Sequence, residues 1–183
     1  MKDTKELILN AGIEVFSEKG YTRSTTLEIS KKAGVSEMTL FRHFQTKNNL
    51  FLSAIKQAVG DTLSDNETLD STIPLRTYIE TILHQKLVSI SIHNALIRML
   101  IREALSNQLP TELAFTKMIY KQITDKLNIY MSDNQLSLDS AVLADIMIGI
   151  LLKYAIMSNM TYHTLKPTEQ KAYLNQYLNI LNI

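Results

Sequence analysis

The amino-acid sequence predicts an all-α protein, and three observations carry that prediction. Of 183 residues only 5 are Gly and 3 are Pro, so turn-formers are scarce and connections should be short. Apolar residues recur at helical spacing in successive segments bounded by capping residues. Alternation of apolar and polar residues never persists beyond a few positions, although the β-branched run from Val88 to Ile92 favours helix least.

The first helix carries Leu7, Ile8, Ala11, Gly12, Val15 and Phe16 on one face, with Asp3 and Glu6 as a capping pair and Gly20 after its last turn. A second, of about two turns, is announced by Thr25 with Glu28 three residues on; it runs through Ile29 and Ala33 and stops at Gly34. Ser36 caps a third over 37–44, its hydroxyl placed to accept from the amide of Met38 or Thr39. Further helices are expected at about 47–63, 74–92, 95–108, 111–131, 139–162 and 168–182, with Pro74, Pro110 and Pro167 near their starts. Ser, Asp, Asn and Thr gather at 61–72 and mark a loop.

Composition narrows the chemistry. Nineteen Lys and Arg against 18 Asp and Glu give a net charge of +1, so any polyanion binding must be local. The basic excess lies in residues 1–50, which hold 8 Lys and Arg against 6 Asp and Glu. With no cysteine there is no disulfide framework, thiolate metal site or cysteine nucleophile. The charged start, Met1-Lys2-Asp3-Thr4-Lys5-Glu6, does not read as a signal peptide, and Asp145 and Lys153 interrupt the apolar stretch 141–157; a cytoplasmic protein without a membrane span is expected. His84, His93 and His163 have no two-histidine metal spacing, and neither a phosphate-cradling Gly loop nor a nucleophile motif appears. No cofactor, metal or catalytic residue is therefore expected. A helical-bundle enzyme or a non-DNA interaction module is the alternative class, and it would ignore DNA.

Two short helices separated by Gly34-Val35-Ser36 have the form of a helix-turn-helix, with Ala33 small where the helices cross. Leu40 and Phe44, at i and i+4, can face the core, which turns Glu37, Met38, Thr39, Phe41, Arg42 and His43 outward. Taken alone this is also the pattern of a plain helical hairpin. From Thr4 to Leu52, however, the segment resembles the DNA-binding domain of the TetR family of transcriptional repressors. The likeness runs through Ala11, Phe16, Gly20-Tyr21, Thr25-Thr26, Ile29, Ala33-Gly34-Val35-Ser36, Thr39-Leu40, His43-Phe44, Lys47 and Leu50-Phe51.

That resemblance implies a DNA-binding domain over 1–50 and a helical effector-binding and dimerisation domain over 51–183. It makes the third helix the recognition helix in the major groove. Ser36, Glu37, Met38 and Thr39 then stand nearest the bases. Glu37 has two readings, an acceptor for a cytosine amino group or a favourable charge at a helix N-terminus. Met38 or the Thr39 methyl suits a thymine methyl. Thr25, Thr26, Arg42, His43 and Lys47 are the phosphate candidates. The family usually has Tyr where this chain has Phe41, and often an acid where it has Asn49. One hydroxyl contact is thus missing, and Phe41 either meets the sugar edge or packs between helices.

Beyond residue 52 only length, helicity and helix order resemble the family. The likeness implies a small-molecule effector held between helices and a homodimer built by the last two helices. Residues 139–160 are apolar around almost the whole circumference, as befits a helix buried on every side. With Tyr173, Leu174, Tyr177, Leu178 and Leu181 it suits a four-helix dimer interface; a monomer core is the other reading. Tyr78, Ile82, Met99, Phe115, Ile119, Met147 and Tyr154 are candidates to line an effector cavity, or else are core, and Glu103 is either an anchor for a cation or paired with Arg98, Arg102 or solvent. The expected function is a repressor that binds a palindromic double-stranded DNA operator as a homodimer and is released by a small apolar or amphipathic molecule.

Overall fold

The computed structural model describes residues 3–63, 69–106, 108–109 and 115–181, with the side chains of 61–63 and 115–116 excepted. The described residues are helical, with no strand, in the order α1 Thr4–Arg23, α2 Thr26–Ala33, α3 Glu37–Phe44, α4 Lys47–Leu63, α5 Leu75–Ile92, α6 Asn94–Leu105, α7 Phe115–Asp133, α8 Ser140–Met157 and α9 Pro167–Leu181. Local sequence sets most of the boundaries. The Asp3 carboxylate caps α1 by accepting from the Lys5 amide, Thr25 caps α2 through the Glu28 amide, and Ser36 caps α3 through the amide of Thr39. Val88–Ile92 is helical, because Leu87 and Ser91 are buried in α5 and packing overrides β propensity.

The chain forms two compact units, and their division does not follow the expected boundary at 50/51. The first unit comprises residues 1–63 together with 95–116, so α4 and α6 join α1–α3. Periodicity defines helices but not which of them pack together, and α4 packs against α1. Ile8, Phe16, Leu50, Phe51 and Ile55 are fully buried there, with Phe16 and Phe51 edge to face at 4.8 Å. Gly20 does not end α1 as expected. It takes φ 80°, ψ 172°, breaks the helix, and the chain turns on to Arg23 before Ser24 closes back with its hydroxyl on the Gly20 carbonyl at 2.6 Å.

The second unit holds α5, α7, α8 and α9 around one apolar cluster that includes Ile79, Leu83, Leu127, Met147 and Leu178. Here α8 stops at Met157 rather than near 162. The chain leaves the helix so that a short 3-10 turn, Tyr162–Thr164, can bury Tyr162 completely, its amide donating to the Tyr154 hydroxyl at 3.0 Å. Nor is α8 buried on every side: Leu143, Met147, Ile150, Leu151 and Tyr154 face the core, while Val142, Ile146, Leu152, Ile156 and Met157 are exposed. On length and composition alone α8, with a mean hydropathy of 1.8 over 18 residues, is apolar enough to cross a membrane, yet its core face is buried in this unit.

Candidate nucleic-acid interface

The turn between α2 and α3 is fixed by backbone chemistry. Gly34 adopts the left-handed region, φ 70° and ψ 28°, and its N–H closes onto the carbonyls of Ser30 and Lys31. A hydrogen bond across the motif then locks the two helix starts, the Thr26 hydroxyl meeting a Glu37 carboxylate oxygen at 2.5 Å. The Ser36 and Thr39 hydroxyls lie 2.9 Å apart, so the capping residue also holds the side chain three positions on. With Leu40 and Phe44 buried, α3 presents a fixed outward face.

On that face Met38 is 83% exposed and Phe41 41%, with Arg42 and His43 also open to solvent. An apolar pair standing this far out of a short helix is costly in water and suits a partner surface. Phe41 is therefore not filling a gap between helices. Glu37 and Thr26 are both half-buried and spend their side chains on each other, while Thr25 is exposed and doubles as a helix cap.

Lys47 opens α4, but its ammonium is drawn inward. It lies 4.5 Å from the centroid of the Tyr21 ring and donates to the Thr22 carbonyl at 3.3 Å. Partial burial depresses the pKa of this ammonium, and the negative charge of Glu103 counteracts that fall. Sequence reasoning missed Thr46, whose hydroxyl accepts from the Asn49 amide at 3.0 Å and caps α4; the Thr-x-x-Asn spacing was its signal. It also missed the ion pair between Lys19 and Glu28, which ties α1 to α2 and holds the Glu28 carboxyl below its usual pKa.

The effector candidates are divided between the units. Tyr78, Ile82, Met147 and Tyr154 are buried and Ile119 is half-buried in the core of the second. The hydroxyls of Tyr78 and Tyr154 are taken by the carbonyls of Lys126 and Met160. Met99 and Glu103 belong to the first unit, and the side chain of Phe115 lies outside the described residues. Glu103 has Arg102 beside it, Nη2 to Oε1 3.6 Å.

Residues 8–54 match the family model described as "Bacterial regulatory proteins, tetR family", which spans the helix-turn-helix, most of α1 and the first part of α4. Over these residues the chain carries the DNA-binding domain of the TetR family. Over 57 residues it is 42% identical to the HTH-type transcriptional regulator YvkB of Bacillus subtilis, a match covering 31% of this chain and 30% of that one. Over 56 residues it is 41% identical to the HTH-type transcriptional repressor BepR of Brucella suis, covering 31% and 27%. These matched segments span less than a third of the TetR-family relatives' own length. A bacterial regulatory protein in the tetR family from Rhodococcus RHA1 superposes with a TM-score of 0.73 over 98% of this chain and 97% of that one, at 17% identity, which is a likeness of fold.

Proposed function

We propose that the chain is a ligand-responsive DNA-binding transcriptional regulator of the cytoplasm, a repressor that binds a palindromic operator as a homodimer and is released by a small apolar or amphipathic molecule. The observation that carries this is the outward face of α3. Met38, Phe41, Arg42 and His43 project from a helix capped at Ser36 and braced through Thr26 and Glu37. Met38 is the foremost apolar probe for a thymine methyl, with Thr39 behind it. Thr25, Arg42, His43 and Lys47 supply phosphate contacts that fix register. Because Glu37 is held by Thr26, its role is to brace the motif and complement the helix N-terminus.

Two half-sites in successive major grooves lie about 34 Å apart and call for a two-fold reader. The exposed apolar face of α8 supports a dimer through α8 and α9, and the interior of the second unit is where an effector would enter. Effector binding would favour a dimer whose recognition helices no longer match two grooves, and operator affinity would fall by linkage. Selection of bound duplexes from a random pool tests this: a palindrome should be enriched, and sequence-indifferent retention that disappears with salt would sink it. Lys47→Ala is expected to weaken binding to every duplex and reduce the salt slope by about 1, whereas Thr39→Ala should change base preference.

A further inference from the structure

The first unit buries one carboxylate that the proposed DNA contacts do not use. Glu103 of α6 is 5% exposed, and its Oε2 accepts no hydrogen bond among the described residues. It is seated on the break in α1. A Cβ added to Gly20 would collide with Glu103 Oε1, so glycine at this position leaves the room the carboxylate occupies. Two residues on, the Thr22 carbonyl accepts from Lys47, and the intervening Tyr21 lies beneath the same ammonium. The three-residue stretch 20–22 thus carries the acid of α6 at one end and the phosphate candidate of α4 at the other.

We infer that Glu103 is a positioning residue for Lys47: its carboxylate, seated on the Gly20 break, draws the ammonium back against Tyr21 and Thr22, so that α6 sets how strongly Lys47 grips a DNA phosphate. The other charges around Glu103 are cationic. Arg102 is adjacent, and Lys19 and Arg23 line the same cleft of about 300 Å³, but Lys19 is paired with Glu28 and the Arg23 Nε donates to the Lys19 carbonyl. The negative charge of Glu103 favours the charged form of Lys47 against the burial that disfavours it. A second link keeps α6 in register, the Thr22 hydroxyl reaching Gln108 Oε1 at 3.4 Å just beyond the helix.

This inference rests on the proposal that Lys47 contacts phosphate, a sequence-blind contact, so bulk duplex DNA suffices as the probe. Glu103→Gln keeps the shape and removes the charge. It should tighten binding about threefold to tenfold at low salt, the effect of one screened charge at a partly buried site. In a Lys47→Ala background the same change should do nothing. Equal tightening in both backgrounds, or none in either, overturns the inference. Glu103→Asp, which keeps the charge but retracts it from Gly20, should fall between, and serves if the Gln variant folds poorly. Should Lys47→Ala alone leave affinity and salt slope unaltered, the phosphate role fails and an NMR titration of labelled lysine decides. Glu103→Gln should then lower the Lys47 pKa in the free protein, and an unmoved titration overturns the inference.

Discussion

Gly20 and Gly34 both sit at positive φ, but a side chain would meet different surroundings at each. Around Gly34 no atom lies within 4 Å of an added Cβ, whereas at Gly20 the Glu103 carboxylate blocks it. Gly34→Ala should therefore cost about 1–2 kcal/mol, the price of left-handed backbone alone. Gly20→Ala should cost more, and the excess should shrink when Glu103 is shortened to Ala; equal costs in denaturant unfolding would contradict the close approach. Ser36→Ala is expected to lose about 1 kcal/mol through the vacated Thr39 amide, checked by the same unfolding curves. These cap residues were readable from sequence because a cap acts over three positions. Glu103 was not. Its spacing among Leu100, Ile101, Ala104 and Leu105 shows an acid on an apolar face, but its neighbours Gly20 and Lys47 are more than fifty residues away in sequence, where periodicity carries no signal.

Among the elements, the segment after α8 departs furthest from expectation and gives a test of its own. Tyr162 enters the core from a 3-10 turn, its hydroxyl 3.1 Å from His84 Nδ1 and its ring edge to face with those of Tyr154 and Tyr173. Burial, reinforced by Glu80 and Tyr154, pushes its pKa from 10.0 up to about 12. The sign follows from where each state loses its proton. Below pH 10 both states hold it; above that the unfolded chain ionises while the folded one does not, so stability declines until the folded tyrosine ionises near pH 12. Tyr162→Phe should flatten this alkaline decline in denaturant titrations, and an unaltered slope would contradict the buried hydroxyl. Sequence extended α8 to about 162 because the apolar pattern runs on to Met160. The chain beyond Met157 is instead held to Tyr154 by a hydrogen bond from the Tyr162 amide, eight residues on, a spacing no amphipathic pattern encodes.

At the scale of the whole molecule, the exposed face of α8 is where the proposed dimer would form. Val142, Ile146 and Ile156 recur at helical spacing on it with Gly149 between them, and nothing lies within 4 Å of a Cβ added at that glycine. Small residues let two helices approach closely, so Ile146→Asp, placing a charge mid-face, should convert a dimer to monomers in sedimentation and weaken operator binding with it. A wild-type protein that sediments as a monomer at every concentration would remove the basis of that expectation. For α8 the covered face was not legible in the sequence: it read as apolar all round, and only its packing against α5 shows which half remains uncovered.

The route of the chain through its two units bears on synthesis. Residues 1–63 and 95–116 build the first unit, and the second begins between them. A ribosome therefore releases α1–α4 well before the α6 segment that carries Glu103, and the unit stays incomplete until more than half of the chain has been made. N-terminal domains ordinarily fold first as they emerge. This one is completed only by α6, so a fragment cut after residue 63 is expected to be less stable than the same helices in the whole chain, which denaturant unfolding of the fragment checks.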